Sequence, residues 1–240
     1  MSTVTFNGYN LTADYIVGNL VRSFSTRDVQ QIDVPGMDGA IFASASYEPV
    51  VISMDVTALS SSPTERSDAL RRLAAALSVR EPSPLAISDD GGKYYLAVPN
   101  GGDLARYKGA ESFPLEFTAF DPVMYGDEKT ATVPSGGSVS ITVGGNYRAM
   151  PSIAASSARC NSTTMLWTLT FGSSVFEVRC PNTNATAIAA DSEHRSLTVA
   201  GSASIPTLDS DWPALEPGTH TVRNSSGSGA CTLTWRERWL

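Results

Sequence analysis

The sequence predicts a mainly β protein, in which an N-terminal α+β, β-sandwich-like domain with one helix is followed by an all-β sandwich. Three observations support this prediction. Apolar and polar residues alternate with period two along most of the chain, a helical pattern occurs once, and clusters of Gly, Pro and Asp separate the alternating runs. The composition agrees, since 42% of the 240 residues are hydrophobic and only 17% are charged, which suits a packed globular chain.

The helical pattern predicts one helix from Pro63 to Leu77. Ser62-Pro63-Thr64-Glu65 has the pattern of a capping box, and proline suits the first helical position because its missing N–H needs no partner there. The apolar residues that recur at the spacing of one helix face are Leu70, Leu73, Ala74 and Leu77. Pro82 and Pro84 prevent the helix from continuing. We therefore expect the apolar stripe to pack on the N-terminal sheet.

The alternating runs predict half-buried antiparallel strands in both halves of the chain. In each run one set of side chains is apolar and is expected to face the core. These sets are Val50/Ile52/Met54/Val56, Phe113/Leu115/Phe117, Val139/Ile141/Val143, Met165/Trp167/Leu169/Phe171 and Cys231/Leu233/Trp235.

A domain boundary is predicted near residues 121–137. Asp121-Pro122 follows a strand, Gly126-Asp127-Glu128-Lys129 is polar, and Pro134-Ser135-Gly136-Gly137 forms a turn cluster. No helical pattern returns after it. We assign residues 1–124 to the N-terminal domain, 125–137 to a linker and 138–240 to the C-terminal sandwich.

The net charge of −7 is concentrated in the first half of the chain. Residues 1–124 contain 9 Lys or Arg against 15 Asp or Glu, a net charge of −6, whereas residues 125–240 contain 8 against 9, a net charge of −1. Nucleic-acid binding needs clustered Lys and Arg. The charge distribution therefore argues against a nucleic-acid-binding protein.

No motif in the sequence predicts catalysis, a cofactor or a metal. The two histidines, His194 and His220, lie in polar contexts and are interpreted as surface residues. G-x-S-x-G, H-E-x-x-H and G-x-x-x-x-G-K-[ST] patterns are all missing from the sequence. Asp89-Asp90-Gly91-Gly92 lacks the further ligands of a calcium loop and is interpreted as a strand-connecting turn.

The cysteines and the N-terminus point to synthesis in a cytoplasm. Cys160, Cys180 and Cys231 are odd in number and widely spaced. The opening Met1 to Phe6 has no basic stretch followed by an apolar run, and no apolar run approaches the length of a membrane span. We therefore expect no membrane segment, and three free, buried, slowly reacting thiols.

The four tryptophans all lie in the second half, where an aromatic ring on a sandwich can stack on a sugar. Trp167 and Trp235 share a strand face with other apolar residues, which is typical of a core position. Trp212, in Ser210-Asp211-Trp212-Pro213, has no such pattern. It is the one candidate for contact with a ligand or a partner.

Several stretches taken together resemble the bacteriophage distal tail protein family, a ring component of the siphovirus tail tip. The likeness runs in order through Phe6-Asn7-Gly8, Arg22-Ser23, Ile32 to Ala40, Leu85 to Asp90, Tyr94 to Val98, Phe113 to Phe117 and Phe120 to Tyr125. It continues more loosely through Asp191, Leu215 to Gly218 and Trp235 to Leu240. In Pro35-Gly36-Met37-Asp38-Gly39, proline fixes φ and the glycines permit a tight reversal between paired strands. Met37 stands where family members often have arginine.

The resemblance implies a non-enzymatic structural protein without cofactors. Its N-terminal domain would form a homohexameric ring, and its galectin-like C-terminal sandwich would project outward. The ring would join the tail-tube protein to the tail hub protein, and in some phages it also holds receptor-binding proteins. The protein would be assembled in the host bacterial cytoplasm and reside in the virion at the tail tip, where genomic DNA passes through without specific binding.

Two other readings stay open at this stage. The C-terminal sandwich could instead be a carbohydrate-binding module that recognises host-surface glycans, with Trp212 as its contact residue. A hydrolase is disfavoured by the missing motifs. The acidic residues of the first half could line the channel of a ring, or they could keep its outer surface soluble.

Overall fold

The computed structural model describes residues 2–24, 26–101, 105–107, 110–224 and 229–240. The chain forms two compact units, Met1–Tyr125 and Gly126–Trp239. No helix among the described residues is long and apolar enough to cross a membrane.

The first unit contains most of its residues in short antiparallel strands, together with one α-helix. The helix α1 spans Pro63–Leu77, and two short 3-10 helices span Leu11–Ala13 and Ser88–Asp90. The strands are β1 (Val4–Phe6), β2 (Tyr9–Asn10), β3 (Tyr15–Arg22), β4 (Arg27–Ile32), β5 (Ile41–Tyr47), β6 (Val50–Ala58), β7 (Ser83–Ile87), β8 (Tyr94–Gly101), β9 (Ala105–Tyr107) and β10 (Ala110–Ala119). The next strand, β11 (Met124–Val133), begins at the end of this unit.

The strand β8 connects the two layers of the first unit. Its first half pairs with β7, which pairs with β1, and β1 pairs with β2. Its second half pairs with β10, which continues through β6 to β3. The two layers enclose a core in which the rings of Phe6 and Phe117 have their centroids 4.8 Å apart. The predicted alternation is confirmed, because the apolar sets of β6 and β10 are buried.

The helix α1 has the predicted bounds and packs on this core through Ala69 and Leu73, which are 4% and 1% exposed. Leu70 and Leu77 are partly buried against the same core, whereas Ala74 faces solvent. The buried stripe is therefore shifted from the predicted one, with Ala69 in place of Ala74. The predicted packing of the helix on the N-terminal sheet is confirmed.

The capping box at the start of α1 differs from the prediction. Ser62 is the N-cap residue, but its side chain makes no capping hydrogen bond. The carboxylate of Glu65 instead accepts a hydrogen bond from the hydroxyl of Ser60, and that hydroxyl accepts one from the backbone N–H of Ser62 at 3.1 Å. The hydroxyl that contacts Glu65 at this helix end therefore belongs to Ser60, two residues before the Ser62 that the sequence pattern indicates.

The second unit is built from the remainder of β11 and nine further strands. These are β12 (Ser138–Val143), β13 (Ser152–Ala158), β14 (Leu166–Phe171), β15 (Ser174–Arg179), β16 (Thr186–Asp191), β17 (Ser196–Val199), β18 (Ser202–Ser204), β19 (Gly218–Asn224) and β20 (Cys231–Trp239). One layer has the order β12-β19-β14-β15, and the other has the order β18-β17-β16-β13-β20-β11.

The core of the second unit lies between these two layers, as in a β-sandwich. Trp167 is fully buried and Trp235 is 5% exposed, which confirms their interpretation as core residues. The predicted alternation along β14 and β20 is likewise confirmed by the burial of their apolar sets from Trp167 onward. The fold class, a mainly β chain with one α-helix and a C-terminal sandwich, agrees with the sequence prediction.

Most of the segment interpreted as a linker, residues 125–137, lies in strand β11 and the turn that follows it. Two of its charged residues, Glu128 and Lys129, have partners on β20. The guanidinium of Arg236 donates to the carboxylate of Glu128 at 3.1 Å, and the ammonium of Lys129 forms an ion pair with Glu237. The charges that suggest a solvated connection in the sequence are therefore cross-strand pairs on the surface of a sheet.

The prediction of three free thiols was wrong for two of them. Cys160 and Cys180 form a disulfide, with their Cα atoms 6.0 Å apart. Each cysteine directly follows or closely follows a strand end, and the facing layers of the sandwich bring these ends together. The spacing of the cysteines along the sequence does not show that their Cα atoms lie close enough for a disulfide. Cys231 is a buried free thiol as predicted.

Candidate interaction surface

The segment between β3 and β6 forms a separate two-stranded hairpin, which we call the arm (residues 27–47). Its strands β4 and β5 form a two-stranded sheet of their own among the described residues, while β3 and β6 pair directly at its base. The backbone N–H of Glu48 donates to the carbonyl of Thr26 at 2.9 Å, and Ser23 donates to Val51 at 3.0 Å. Every residue of β4 is exposed, and so are the first six of β5.

The two faces of the arm differ in polarity. Directly opposed residues of an antiparallel pair lie on the same face, and β4 alternates between the faces. One face, which we call the apolar face, carries Val29 opposite Ala45, with Arg27 opposite Tyr47 at its base. The register shifts between Gln30 and Gln31, so that Phe42 lies opposite Gln31 and continues this face. The other, the polar face, carries Asp28 opposite Ser46 and Gln30 opposite Ser44, with the Ile32–Ile41 pair near the tip.

The apolar face is exposed to a degree that is unusual for such side chains. Val29 is 53% exposed and Phe42 is 66% exposed. At the base, Arg27 stacks on the ring of Tyr47 at 4.7 Å and donates a hydrogen bond to its hydroxyl. An isolated two-stranded hairpin is only marginally stable in water, and exposed apolar patches mark interaction surfaces. The arm therefore has the properties of an element that is covered by another protein surface.

The tip of the arm is a turn whose shape depends on glycine. The backbone N–H of Met37 donates to the carbonyl of Val34 at 3.1 Å. Gly36 and Gly39 have φ values of +82° and +81°, a region that other residues rarely adopt. This confirms the predicted reversal between paired strands in Pro35-Gly36-Met37-Asp38-Gly39.

Apart from Arg27 at its base, the arm lies within a stretch of the sequence whose charged residues are all acidic. From Asp28 to Glu65 the chain contains six Asp or Glu residues and no Lys or Arg. Three of these carboxylates, Asp28, Asp33 and Asp38, belong to the exposed arm. The excess acidity of the first half of the chain is therefore partly displayed on a protruding element.

The carboxylates that could suggest chemistry in the first unit are occupied by neighbouring side chains. Tyr9 donates to Asp14 at 2.5 Å, and Arg72 donates to both oxygens of Asp14 at 2.7 and 3.0 Å. The hydrogen bond from Arg72 is the main reason that the pKa of Asp14 is lowered. This network ties α1 to the Leu11–Ala13 turn, which is a structural role.

The Asp89-Asp90-Gly91-Gly92 segment forms the turn between β7 and β8, as interpreted from the sequence. Asp90 pairs with Arg22 at 2.8 Å, and Asp89 accepts a hydrogen bond from the hydroxyl of Ser2 at 2.5 Å. Among the described residues, no group of three or more His, Cys, Asp or Glu side chains is arranged to hold a metal.

The two histidines are engaged in local turns of the second unit. The Nδ1 atom of His194 lies 2.7 Å from a carboxylate oxygen of Asp191, and this hydrogen bond raises the pKa of His194. The other oxygen of Asp191 accepts the backbone N–H of Glu193 at 2.9 Å, so the carboxylate closes a turn. The Nε2 atom of His220 lies 2.6 Å from the carbonyl oxygen of Glu216.

Trp212, the candidate contact residue of the sequence analysis, lies at the edge of the second unit's core. Its ring packs against Phe176 with centroids 5.5 Å apart and is partly exposed. The preceding residues run along β15: Asp211 donates to the carbonyl of Val175 at 2.8 Å, and Ser210 accepts the N–H of Glu177 at 2.7 Å. Part of the ring thus supports the core, and part faces solvent.

A groove of about 830 Å³ in the second unit was not predicted from the sequence. It lies between Arg179–Pro181 and the segment from Val199 to Asp209. Two apolar residues beside it, Ile205 and Leu208, are almost fully exposed. These residues belong to an irregular loop, where period-two alternation gives no signal. The one signal in the sequence that could have indicated this groove is the presence of apolar residues in a segment otherwise typical of a loop.

Each of the two units matches a known protein family domain. Residues 4–119 match the phage tail protein RIFT-related domain, and residues 144–239 match the C-terminal domain of the siphovirus-type tail component. The chain belongs to the siphovirus distal tail protein family. Together these two domains account for most of the sequence of this distal tail protein, in the order that the resemblance predicts.

Solved structures show the same fold for the distal tail protein. It is similar to the Dit protein of phage SPP1, described as a paradigm of the hub adsorption apparatus in phages that infect Gram-positive bacteria, with 19% identity, a TM-score of 0.79 and full coverage of both chains. A chain of the phage P2 baseplate in its activated conformation with Ca shares 8% identity over 98% of both chains, with a TM-score of 0.53. No curated protein matches the sequence significantly.

Proposed function

We propose that this distal tail protein is a non-enzymatic component of the tail-tip adsorption apparatus, where six copies form a ring through their N-terminal units. The ring joins the tail-tube protein to the tail hub protein, and the C-terminal sandwich is available to hold a receptor-binding protein. The observation that carries this proposal is the arm, whose apolar face leaves Val29 and Phe42 more than half exposed in the described part of the chain.

A second copy of the chain is the occupant that fits the arm. Symmetric closure lets every copy bury its own arm against its neighbour, so that no apolar face stays exposed in the assembly. The arm lies beside other exposed apolar residues of the same unit, Val21 (58% exposed) and Phe24 (94% exposed). These residues offer apolar surface that a neighbouring arm could cover, and they extend the interface beyond the hairpin itself.

The ring is tested by imaging and by mass. We expect light scattering of the purified protein at high concentration, or class averages of virions, to show six-fold assemblies. Weak association of the isolated protein agrees with the proposal, because neighbouring tail rings would template the hexamer. A monomeric copy at the tail tip would contradict it.

The acidity of the arm predicts an effect on DNA passage. Six copies at −6 each give the N-terminal units of a ring −36 formal charges. DNA carries one phosphate charge per roughly 1.7 Å of its length, and screening over about 8 Å leaves repulsion effective in a narrow pore. If the polar face and the tip of the arm line the channel, the carboxylates of Asp28, Asp33 and Asp38 keep the duplex centred and prevent it from sticking.

Replacing Asp28, Asp33 and Asp38 by lysine is therefore expected to slow DNA ejection from the virion without preventing assembly. Ejection kinetics in the presence of receptor would measure this. A matched control is the reversal of three exposed acids in the second unit, Asp127, Asp209 and Glu216, which should leave the kinetics unchanged. If the arm variant ejects DNA at the same rate as the parent, the acidic residues do not act on the DNA and serve only to keep the outer surface soluble.

The second candidate function is binding of host-surface glycans by the C-terminal sandwich. The observations that favour it are the partly exposed ring of Trp212 and the groove beside Ile205 and Leu208. Aromatic rings with one exposed face can stack on sugars. Under this reading, the full-length protein should bind members of a glycan array.

Trp212→Ala should abolish that glycan binding if the ring is the contact. The variant also loses packing against Phe176, so its unfolding temperature must be measured in parallel. A variant that folds and binds glycans like the parent would exclude Trp212 as the contact residue. If the parent binds no glycan on the array, the glycan-binding function is excluded and the structural function stands.

A further inference from the structure

The disulfide between Cys160 and Cys180 joins the two layers of the C-terminal sandwich. Cys160 lies just after β13, which belongs to the layer that contains β20, and Cys180 directly follows β15, the edge strand of the opposite layer. Both cysteines are buried, at 7% and 3% exposure. The bond therefore fastens one layer to the other at a single point on the border of the core.

The surrounding fold holds the two cysteines in place independently of the bond. The backbone N–H of Cys180 donates to the carbonyl of Met165 at 3.0 Å, and Asn161 donates to Leu166 at 3.0 Å. The fully buried Trp167 and Phe176 fill the core between the layers. The Cα separation of 6.0 Å is within the range that a disulfide requires. A chain with two thiols at these positions is thus already arranged for closure.

We propose that Cys160 and Cys180 form a late redox lock, which is open as two thiols when the protein folds and closes as a disulfide once the virion leaves the cell. This inference rests on the proposed function, because it takes the protein from a bacterial cytoplasm to the extracellular medium. Cytoplasmic thiols are kept reduced by glutathione and thioredoxin systems, whereas the medium outside is oxidising.

The closing step uses a small peroxide as oxidant. One thiolate attacks hydrogen peroxide, the O–O bond breaks, and the cysteine becomes a sulfenic acid while hydroxide leaves and takes up a proton as water. The second thiol then attacks that sulfur, the S–O bond breaks, and a second water leaves. In total two S–H bonds are replaced by one S–S bond, and the peroxide takes up two electrons and two protons. A small oxidant suits cysteines that are this deeply buried.

The third cysteine does not compete with this closure. Cys231 is 1% exposed, and burial raises the pKa of its thiol to about 11. It is therefore protonated at neutral pH and is a poor nucleophile for disulfide exchange. The sulfur of Cys160 therefore has Cys180 as its partner for disulfide formation, and Cys231 stays a thiol.

Closure should stabilise the sandwich, because a cross-link over a sequence separation of 20 residues restricts the unfolded chain. For a unit of this size we expect the unfolding temperature of the oxidised protein to exceed that of the reduced protein by roughly 10 °C. The gain matters outside the cell, where the tail tip can no longer be replaced.

The test uses the full-length protein made in a reducing bacterial cytoplasm. Cells are lysed directly into denaturant with N-ethylmaleimide, and mass spectrometry counts the modified cysteines. We expect three in this sample. After native protein is treated with stoichiometric hydrogen peroxide, we expect one modified cysteine, at Cys231, and the rise in unfolding temperature given above.

Two variants separate the lock from general oxidation. Cys231→Ser should keep the temperature rise on oxidation, and Cys160→Ser should lose it while retaining the far-ultraviolet circular dichroism of a β protein. A complete disulfide in the directly quenched cells, a native protein that keeps three thiols in peroxide, or equal unfolding temperatures of both forms would each overturn the proposal. All these measurements use unassembled protein, so their outcome is independent of whether the ring forms.

Discussion

Replacing Leu73 by aspartate is expected to unfold the N-terminal unit or to destabilise it by about 4 kcal/mol or more. Leu73 is 1% exposed and lies at the centre of the face that α1 packs on the core. The variant loses the apolar contacts of leucine and places a carboxylate inside the apolar core to which Leu73 belongs. Both effects act in the same direction. Urea or thermal unfolding monitored by circular dichroism measures the loss.

The adjacent position provides a matched control for this variant. Ala74→Asp introduces the same side chain into the same turn of α1, but residue 74 faces solvent. Its expected cost is about 0.5 kcal/mol, which is the difference in helix propensity. Similar unfolding of the Leu73 and Ala74 variants would mean that α1 does not bury the face described here.

The success of the sequence prediction for α1 and the core strands has a simple physical reason. Burial on one face imposes a period on the sequence, so the spacing of Leu70, Leu73 and Leu77 and the alternation along β6 directly record which side faces the core. Such signals are local. They need no knowledge of which strand lies beside which.

The features that escaped prediction depend on contacts between distant residues. Cys160 and Cys180 approach each other only because the two layers of the sandwich face each other. Their separation of 20 residues in the sequence does not predict this approach. The charges of β11 appear solvated until their partners on β20, Arg236 and Glu237, are known. The sequence could place a turn at Pro35 to Gly39, but it could not show that the strands on both sides leave the core.

The candidate site shows the same division. Trp212 was correctly distinguished from Trp167 and Trp235, since it lacks their alternating neighbours and is less buried than they are. Its role as a contact residue stays a prediction. The apolar face of the arm was not foreseen, because a side chain such as Phe42 in a strand pattern is ordinarily interpreted as a core residue.

Placing charges on the apolar face of the arm is expected to prevent assembly while leaving the fold of each copy intact. The double variant Val29→Glu and Phe42→Glu replaces two side chains that are 53% and 66% exposed in the single chain. Neither belongs to the core of the first unit, so the unfolding temperature should stay within about 2 °C of the parent, as for ordinary surface changes. In a ring, however, the same positions would be covered, and burying two unpaired carboxylates per interface would cost several kcal/mol.

The control for this experiment lies on the opposite side of the same hairpin. Ser44→Glu adds a carboxylate to the polar face, where Gln30 lies opposite and which the proposed ring would leave open to solvent. We expect this variant to assemble like the parent in light scattering and in tails examined by electron microscopy, and we expect the apolar-face variant to yield monomers and tails that lack the tip. Because the control also adds negative charge to an already acidic arm, a loss of assembly confined to the apolar-face variant points to that face rather than to added charge alone. Equal assembly of the two would show that the apolar face is not the contact that closes the ring.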